Sequence, residues 1–229
     1  MHSFARRLHG ASDAPSVKKT RGLVLDEGVR YDLMVGFCDT FLFRGQVRAL
    51  RRRTIALARL QPGEQALDVG CGTGTLALAI QRAVGATGRV AGIDPGERQI
   101  ARAQAKAARR HASIEFQVGV IEQVPFPDQT FDVVFSTLMM HHLPASLKRQ
   151  GLAEIARTLK PGGRLVIADF THKQGRQGRA AHFHAGGSGM RELAALVRDA
   201  GFSQVDTQEI RPRHFSAFPG AGILSAEKS

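Results

Sequence analysis

A chain of 229 residues, 43% hydrophobic and 23% charged, can bury a sizeable core and fits one fold unit with extensions better than two domains. No apolar run approaches the roughly 18 residues needed to cross a bilayer, and Cys38 and Cys71 are too few for a disulfide framework. Neither a membrane-spanning helix nor a disulfide scaffold is therefore expected, a cytoplasmic setting is expected, and the net charge of +12 admits an anionic partner without choosing one.

Residues 1–21 read as a mobile basic tail, small and polar. They show no apolar segment of the secretory kind, and their arginines and serines leave an organellar presequence as the weaker reading. Residues 22–61 read as an N-terminal helical lid. Val47, Leu50, Thr54 and Leu57 share one helical face there and Arg48 and Arg52 another, until Pro62 and Gly63 break the pattern.

Residues 62–229 form the core. "QALDV" from Gln65 predicts a short buried strand, "TLALAIQRAVG" a helix closed by Gly85, "RVAGID" a strand and "GERQIARAQAKAARR" a helix. "SIEFQVG" and "FDVVFS" predict strands, "SLKRQGLAEIARTLK" a helix and "GRLVIADF" a strand, with Lys160–Gly163 as the turn feeding it. After a Gly-, His- and Arg-rich loop over 171–189, "MRELAALVRDAG" reads as a helix, and "SQVDTQEI" and "AGILSAEK" as a final strand pair. Strands separated by helices indicate an α/β fold, with right-handed βαβ units and a mostly parallel sheet covered on both faces. The basic stripe Arg98, Arg102 and Lys106, at i, i+4 spacing, reads first as a solvated helix face, with RNA or an anionic membrane as competitors.

The densest chemistry lies between the first strand and first helix. Gly70, Gly72 and Gly74 alternate behind Asp68, and a glycine-rich turn at that point of a parallel sheet is where nucleotide-like cofactors bind. Glycine there allows positive φ and lets backbone amides approach a ligand. The dinucleotide fingerprint G-x-G-x-x-G fails at its third position, which falls on Thr75. Asp68 suits a ligand with cationic groups, and Asp94, ending the second strand, is placed for a ribose diol, which NAD and S-adenosylmethionine both carry.

At these residues the chain resembles the class I S-adenosylmethionine-dependent methyltransferases. "ALDVGCGTG" resembles their first motif and "AGIDP" their ribose motif. "VPFPDQTFDVVFSTLMMHHLP" is similar to the segment through the fourth strand, and "EIARTLKPGGRLVIADF" to the helix, turn and fifth strand that follow. Within the class the resemblance is nearest to the ubiquinone/menaquinone biosynthesis C-methyltransferases and their "methyltransferase type 11" relatives, "YDLM" at Tyr31 included, and it covers roughly 31–170. The resemblance implies a Rossmann-like seven-stranded sheet, mostly parallel with a C-terminal antiparallel strand.

It also implies S-adenosyl-L-methionine as cofactor, S-adenosyl-L-homocysteine as product, and a set of binding residues. Gly70, Cys71, Gly72 and Gly74 would form the loop around the methionine end, with Asp68 beside it and Tyr31 within reach of the carboxylate. Asp94 and Pro95 would hold the ribose, with Ser136 at the end of the fourth strand. In many relatives an acid after the third strand takes the adenine amine. Here Val120 occupies that position, so a backbone contact near Ile121 is the expected substitute.

Methyl transfer is an in-line displacement whose charge disperses, so positioning and desolvation carry most of the catalysis. An acceptor with a hydroxyl would need a base, and His141, His142 and Asp169, near the ends of the fourth and fifth strands, are the candidates, against a purely structural reading of both histidines. His172, His182 and His184 have no recognisable ligand spacing, and no metal is expected.

The expected acceptor is a small, lipophilic or aromatic molecule of quinol or phenol type. Phe37, Phe41, Leu42, Phe43, Leu138, Met139 and Met140 are candidates to line its pocket, and the basic helices suit peripheral contact with an anionic membrane. Nucleic acid is the disfavoured partner: "STLMM" stands where an adenine-amine methyltransferase has a proline-aromatic turn, and no aromatics interleave with the basic runs to stack bases. A non-catalytic S-adenosylmethionine-binding protein stays open as the other alternative. Oligomeric state is not legible.

Overall fold

A computed structural model describes residues 20, 22–171, 189–212 and 217–229. In chain order the elements are α1 (Val29–Phe37), a π-helical turn (Cys38–Leu42), α2 (Gln46–Ala58), β1 (Gln65–Val69), α3 (Thr75–Val84), β2 (Arg89–Asp94), α4 (Glu97–Ala108) and β3 (Ile114–Val118). There follow β4 (Phe131–Thr137), a 3-10 turn (Met140–His142), α5 (Ala145–Thr158), β5 (Leu159–Phe170), α6 (Met190–Asp199), β6 (Phe202–Ile210) and β7 (Ala221–Lys228).

The seven strands form one sheet in the order β3-β2-β1-β4-β5-β7-β6. β1 to β5 run parallel, and β7 inserts antiparallel between β5 and β6. This is the expected α/β sheet. Central parallel strands are covered on both faces, so Ala66 to Val69 of β1 and Val133 to Ser136 of β4 are buried without interruption. Side chains alternate between two cores. Leu67, Val134, Leu165 and Ile167 pack under α5 and α6 with Leu152, Ile155 and Val197. Ala66, Val133, Phe135 and Val166 pack under α2, α3 and α4 with Leu50, Leu76 and Ile100. The strand order reverses between β1 and β4, and such a switch point opens a crevice at the strands' C-terminal ends.

Three expectations need adjustment. β5 begins at Leu159, so Lys160–Gly163 is an irregularity inside the strand; its register jumps from Leu159↔Phe131 to Arg164↔Val133, and Gly162 takes φ 71° to absorb the extra residues. The lid expected over 22–61 divides in two. α2 belongs to the core, burying Val47, Leu50, Thr54 and Ala58 while Arg48, Arg52 and Arg53 face solvent, whereas α1 buries none of its residues. The expected acceptor-lining set also separates: Phe37, Phe41 and Leu42 are exposed, Phe43 and Leu138 pack on the core, and Met140 is buried.

The basic stripe on α4 is only partly a solvated face. Arg102 and Lys106 turn toward α1, where Arg102 Nε donates to Asp32 Oδ2 at 2.7 Å and Lys106 Nζ to Asp32 Oδ1 at 3.1 Å. Lys106 also donates to the Thr73 and Thr75 hydroxyls, and Thr73 Oγ1 to Asp32 at 2.6 Å. Burial alone would raise the Asp32 pKa, but these donors outweigh it and hold the carboxyl below its ordinary range.

Upstream, Gly22 to Glu27 form an extended strap over the switch-point end of the sheet. The Leu23 N–H donates to the His142 carbonyl, and Asp26 Oδ1 accepts the Arg98 and Gln99 N–H groups at 2.7 and 3.3 Å, capping α4 from outside. No helix of the described residues is long and apolar enough to cross a membrane.

Candidate active site at the switch point

The loop from Gly70 to Gly74 turns the chain from β1 into α3, and all three glycines hold positive φ, at 73°, 52° and 73°. They do so for different reasons. A Cβ on Gly70 would meet Met139 Cγ at 2.5 Å, and one on Gly74 would meet Phe116 Cζ at 2.6 Å, so those two glycines admit close packing. Gly74 is thus turned toward the core, while Gly72 faces open space with Tyr31 Cε1 4.0 Å away.

Asp94, at the end of β2, bridges this loop to the next helix. Its Oδ2 accepts the Gly72 N–H and its Oδ1 the Gly96 N–H, both at 2.9 Å. Burial still pushes its pKa up to about 6. Asp68 lies deeper, 1% exposed, with Oδ2 buried and without a hydrogen-bond partner; burial raises it to about 7, although the Arg51 guanidinium works in the opposite direction. Burial and both aspartates push the Cys71 thiol far up, so this cysteine is a poor nucleophile.

Two small cavities flank Gly70. One is polar, lined by Tyr31, Arg51, Asp68, Gly72, Thr73 and Thr137 among others. The other is almost entirely apolar, between Ile93, Pro95, Val120, Ile121, Met139 and Leu143, with the strap residues Gly22 and Leu23 as its outer wall. Each encloses about 40 Å³, against about 300 Å³ or more for typical ligand sites. A ligand spanning both must displace the strap or Met139. A larger hollow of about 870 Å³ lies at the opposite ends of β2 and β3, beside Arg82, Arg89 and Arg110, remote from the glycine loop.

Toward β5, His141 and Asp169 form a buried pair. His141 Nδ1 donates to Asp169 Oδ1 at 2.5 Å, and Asp169 also accepts the backbone N–H groups of His141 at 2.9 Å and Phe170 at 2.7 Å. These three contacts fix the orientation of the His141 ring, and neither residue lines either small cavity. His142, expected as a further candidate base, lines the apolar cavity instead, although its ring centroid is only 3.9 Å from that of His141. Ser136 is buried within β4, its hydroxyl without a partner, and lines neither cavity; its neighbour Thr137 lines the polar one.

Residues 66–163 match a family model described as a methyltransferase domain, and the motifs lie at the ends of β1, β2 and β4 where the fold converges. The matched segment is a methyltransferase domain of the class I S-adenosylmethionine-dependent type. It is 34% identical over 161 residues to a ubiquinone/menaquinone biosynthesis C-methyltransferase of Geobacter sulfurreducens, covering 69% of this chain and 60% of that protein. The corresponding Burkholderia multivorans protein is 31% identical over 159 residues, with 69% and 63% covered. The chain therefore spans about three-fifths of the length of these relatives. Among solved structures, a SAM-dependent methyltransferase from Aquifex aeolicus superposes with a TM-score of 0.65 at 23% identity, over 78% of this chain and 89% of that one, a likeness of fold.

The class I cofactor fits the residues present. An unpartnered buried carboxylate is costly, and Asp68, whose Oδ2 lacks a partner, lines the polar cavity, where an ammonium would satisfy it. Arg51, in the same cavity, offers a guanidinium for a carboxylate; it was hidden in a basic helical run that reads as solvated surface. Glu122 was also missed. It lines the apolar cavity with Oε2 buried and unpartnered, two residues beyond the position where Val120 replaces the usual acid. Val120 and Ile121 line that cavity as apolar walls. Lys148, in the first turn of α5, is buried too; desolvation lowers its pKa, while Glu192 and Asp169 pull the other way. Among the described residues no cluster of three or more His, Cys, Asp or Glu side chains could hold a metal, and His172, His182 and His184 lie outside them.

Proposed function

We propose that the protein transfers the methyl group of S-adenosylmethionine to a small, lipophilic or aromatic acceptor bearing a hydroxyl, of quinol or phenol type. The bound cofactor supplies an electrophilic methyl carbon on a sulfonium. Everything else falls to the chain's own residues. Asp68 and Arg51 form a pair of opposite charges suited to an amino acid zwitterion, with Tyr31 beside them. Asp94 accepts from the ribose hydroxyls, and Glu122 takes the adenine amine, the task that Val120 cannot perform. Val120, Ile121 and Pro95 supply apolar walls for the ring.

The observation that carries the acceptor class is the His141–Asp169 pair. Asp169, fixed by two backbone donors, orients the His141 imidazole as the candidate base for a hydroxyl proton, whose removal raises the nucleophilicity of the oxygen or of the ring carbon conjugated to it. The names of the ubiquinone/menaquinone relatives support the carbon acceptor. Nothing in the chemistry of Cys71 supports a thiol-dependent base methylation.

The test is formation of S-adenosylhomocysteine with methyl-labelled cofactor across a panel of demethylated quinols, phenols and RNA. Acceptor-dependent turnover on the hydroxyl-bearing rings is expected. Micromolar cofactor binding with turnover on none of them, or on RNA alone, would overturn the acceptor class.

A further inference from the structure

All the large hydrophobic side chains that stand exposed among the described residues fall within 23–42. Their arrangement is regular. Val29, Leu33, Phe37 and Phe41 recur every fourth residue and so lie along one side of α1 and the π-helical turn, exposed by 51%, 69%, 59% and 69%. Phe37 and Phe41 stack on one another with centroids 4.9 Å apart, and Met34 and Leu42 widen the stripe. A stripe of this spacing ordinarily faces a core, yet α1 buries nothing.

The surrounding charge is mostly positive, with Glu27 the exposed acid beside the start of α1. Arg30, Arg44, Arg48, Arg52 and Arg53 are exposed on α1, the turn and α2. The two acids within these elements are already engaged: Asp32 by Arg102, Lys106 and Thr73, and the buried Asp39 by the Val47 and Arg48 N–H groups, with the Arg48 guanidinium 3.1 Å away. An apolar stripe rimmed by arginines is the pattern of a helix that lies in the headgroup region of an anionic bilayer, rings in the acyl boundary and guanidiniums on the phosphates. A two-fold dimer through the same patch would set arginines against arginines.

We infer that α1 and the π-helical turn form an interfacial docking element that seats this protein on an anionic lipid surface. The element also carries Tyr31, which lines the polar cavity, so docking brings the cofactor site to the bilayer. The inference stands apart from the acceptor's identity, since binding is read without any substrate.

The experiment is co-sedimentation of the full chain with vesicles of phosphatidylglycerol and phosphatidylcholine, or of phosphatidylcholine alone. Binding at least tenfold tighter to the anionic vesicles, weakened by salt, is expected. The F37S/F41S variant should lose at least tenfold in vesicle affinity while keeping its melting temperature and S-adenosylhomocysteine affinity; R52Q/R53Q should lose the preference for anionic lipid. Absence of binding to anionic vesicles would overturn the inference. So would unchanged binding by F37S/F41S, or a concentration-dependent dimer in solution that this substitution abolishes.

Discussion

Asp32 on α1 and Arg102 on α4 are joined through Oδ2 and Nε at 2.7 Å, and this contact fastens an otherwise surface-laid helix to α4, while Thr73 ties the same carboxylate to the glycine loop. Lys106 and Thr73 complete the fastening. D32N should cost about 1 kcal/mol, because the pair is only partly buried, and lower the melting temperature by about 2–4 °C. Cofactor affinity should fall with it, since Tyr31 rides on the same helix. Thermal unfolding and calorimetric titration of the variant check both effects.

The raised carboxyls make binding dependent on pH. Asp68, at about 7, and Asp94, at about 6, hold protons in the folded protein that their unfolded counterparts have already released. Between about pH 4 and 7 the native state thus binds more protons than the unfolded one, and these two groups make the ligand-free protein less stable as pH rises through that window. An ammonium needs Asp68 ionised, so S-adenosylhomocysteine should bind more tightly from pH 5.5 to 8 and release protons on binding. Titration in buffers of different ionisation enthalpy would reveal that release.

Two glycine substitutions should fail differently. G70A drives a Cβ into Met139 at φ 73°, and the fold should suffer by more than the strain alone. G72A meets no such wall; it should cost about 1–2 kcal/mol for its positive φ and chiefly reduce cofactor binding. Comparing melting temperature with binding affinity for the pair separates packing from ligand approach.

Glu122 sets a test of adenine recognition. A carboxylate acceptor favours the 6-amino group and repels the carbonyl of a hypoxanthine ring, so the unaltered protein should prefer S-adenosylhomocysteine over S-inosylhomocysteine by about tenfold, about 1.4 kcal/mol. E122Q, able to donate, should narrow or reverse that preference. An unchanged ratio would remove Glu122 from the site.

For the buried pair, D169N keeps the volume but removes the acceptor that holds the His141 ring. Turnover of a hydroxyl-bearing acceptor should fall about 10²–10⁴-fold, with S-adenosylhomocysteine affinity within about twofold. Equal losses in both would assign the pair to structure.

The parallel sheet was legible because buried strands and amphipathic helices alternate between clear breaks, and the placement of Asp68 and Asp94 at the switch point because each sits at the end of such a strand, Asp68 just before the glycine turn. Arg51 was not legible. On a helix of repeated arginines nothing along the chain distinguishes the guanidinium turned inward from Arg52 and Arg53, which face water. Glu122 escaped for a related reason: position 120 carries the local pattern, but only the fold places Glu122 in the lining of the apolar cavity. The stripe Val29, Leu33, Phe37 and Phe41 misleads in the opposite sense, since its spacing is that of a core-facing helix and only the fold leaves it outside.

The strap that forms the outer wall of the apolar cavity also supplies Asp26 to the first amides of α4. A molecule the size of adenosine that enters by lifting Gly22 and Leu23, and not by moving Met139, also draws the cap from the helix that follows Asp94. The outer wall of the cavity and the start of α4 are thus one mechanical unit, joined through a single carboxylate.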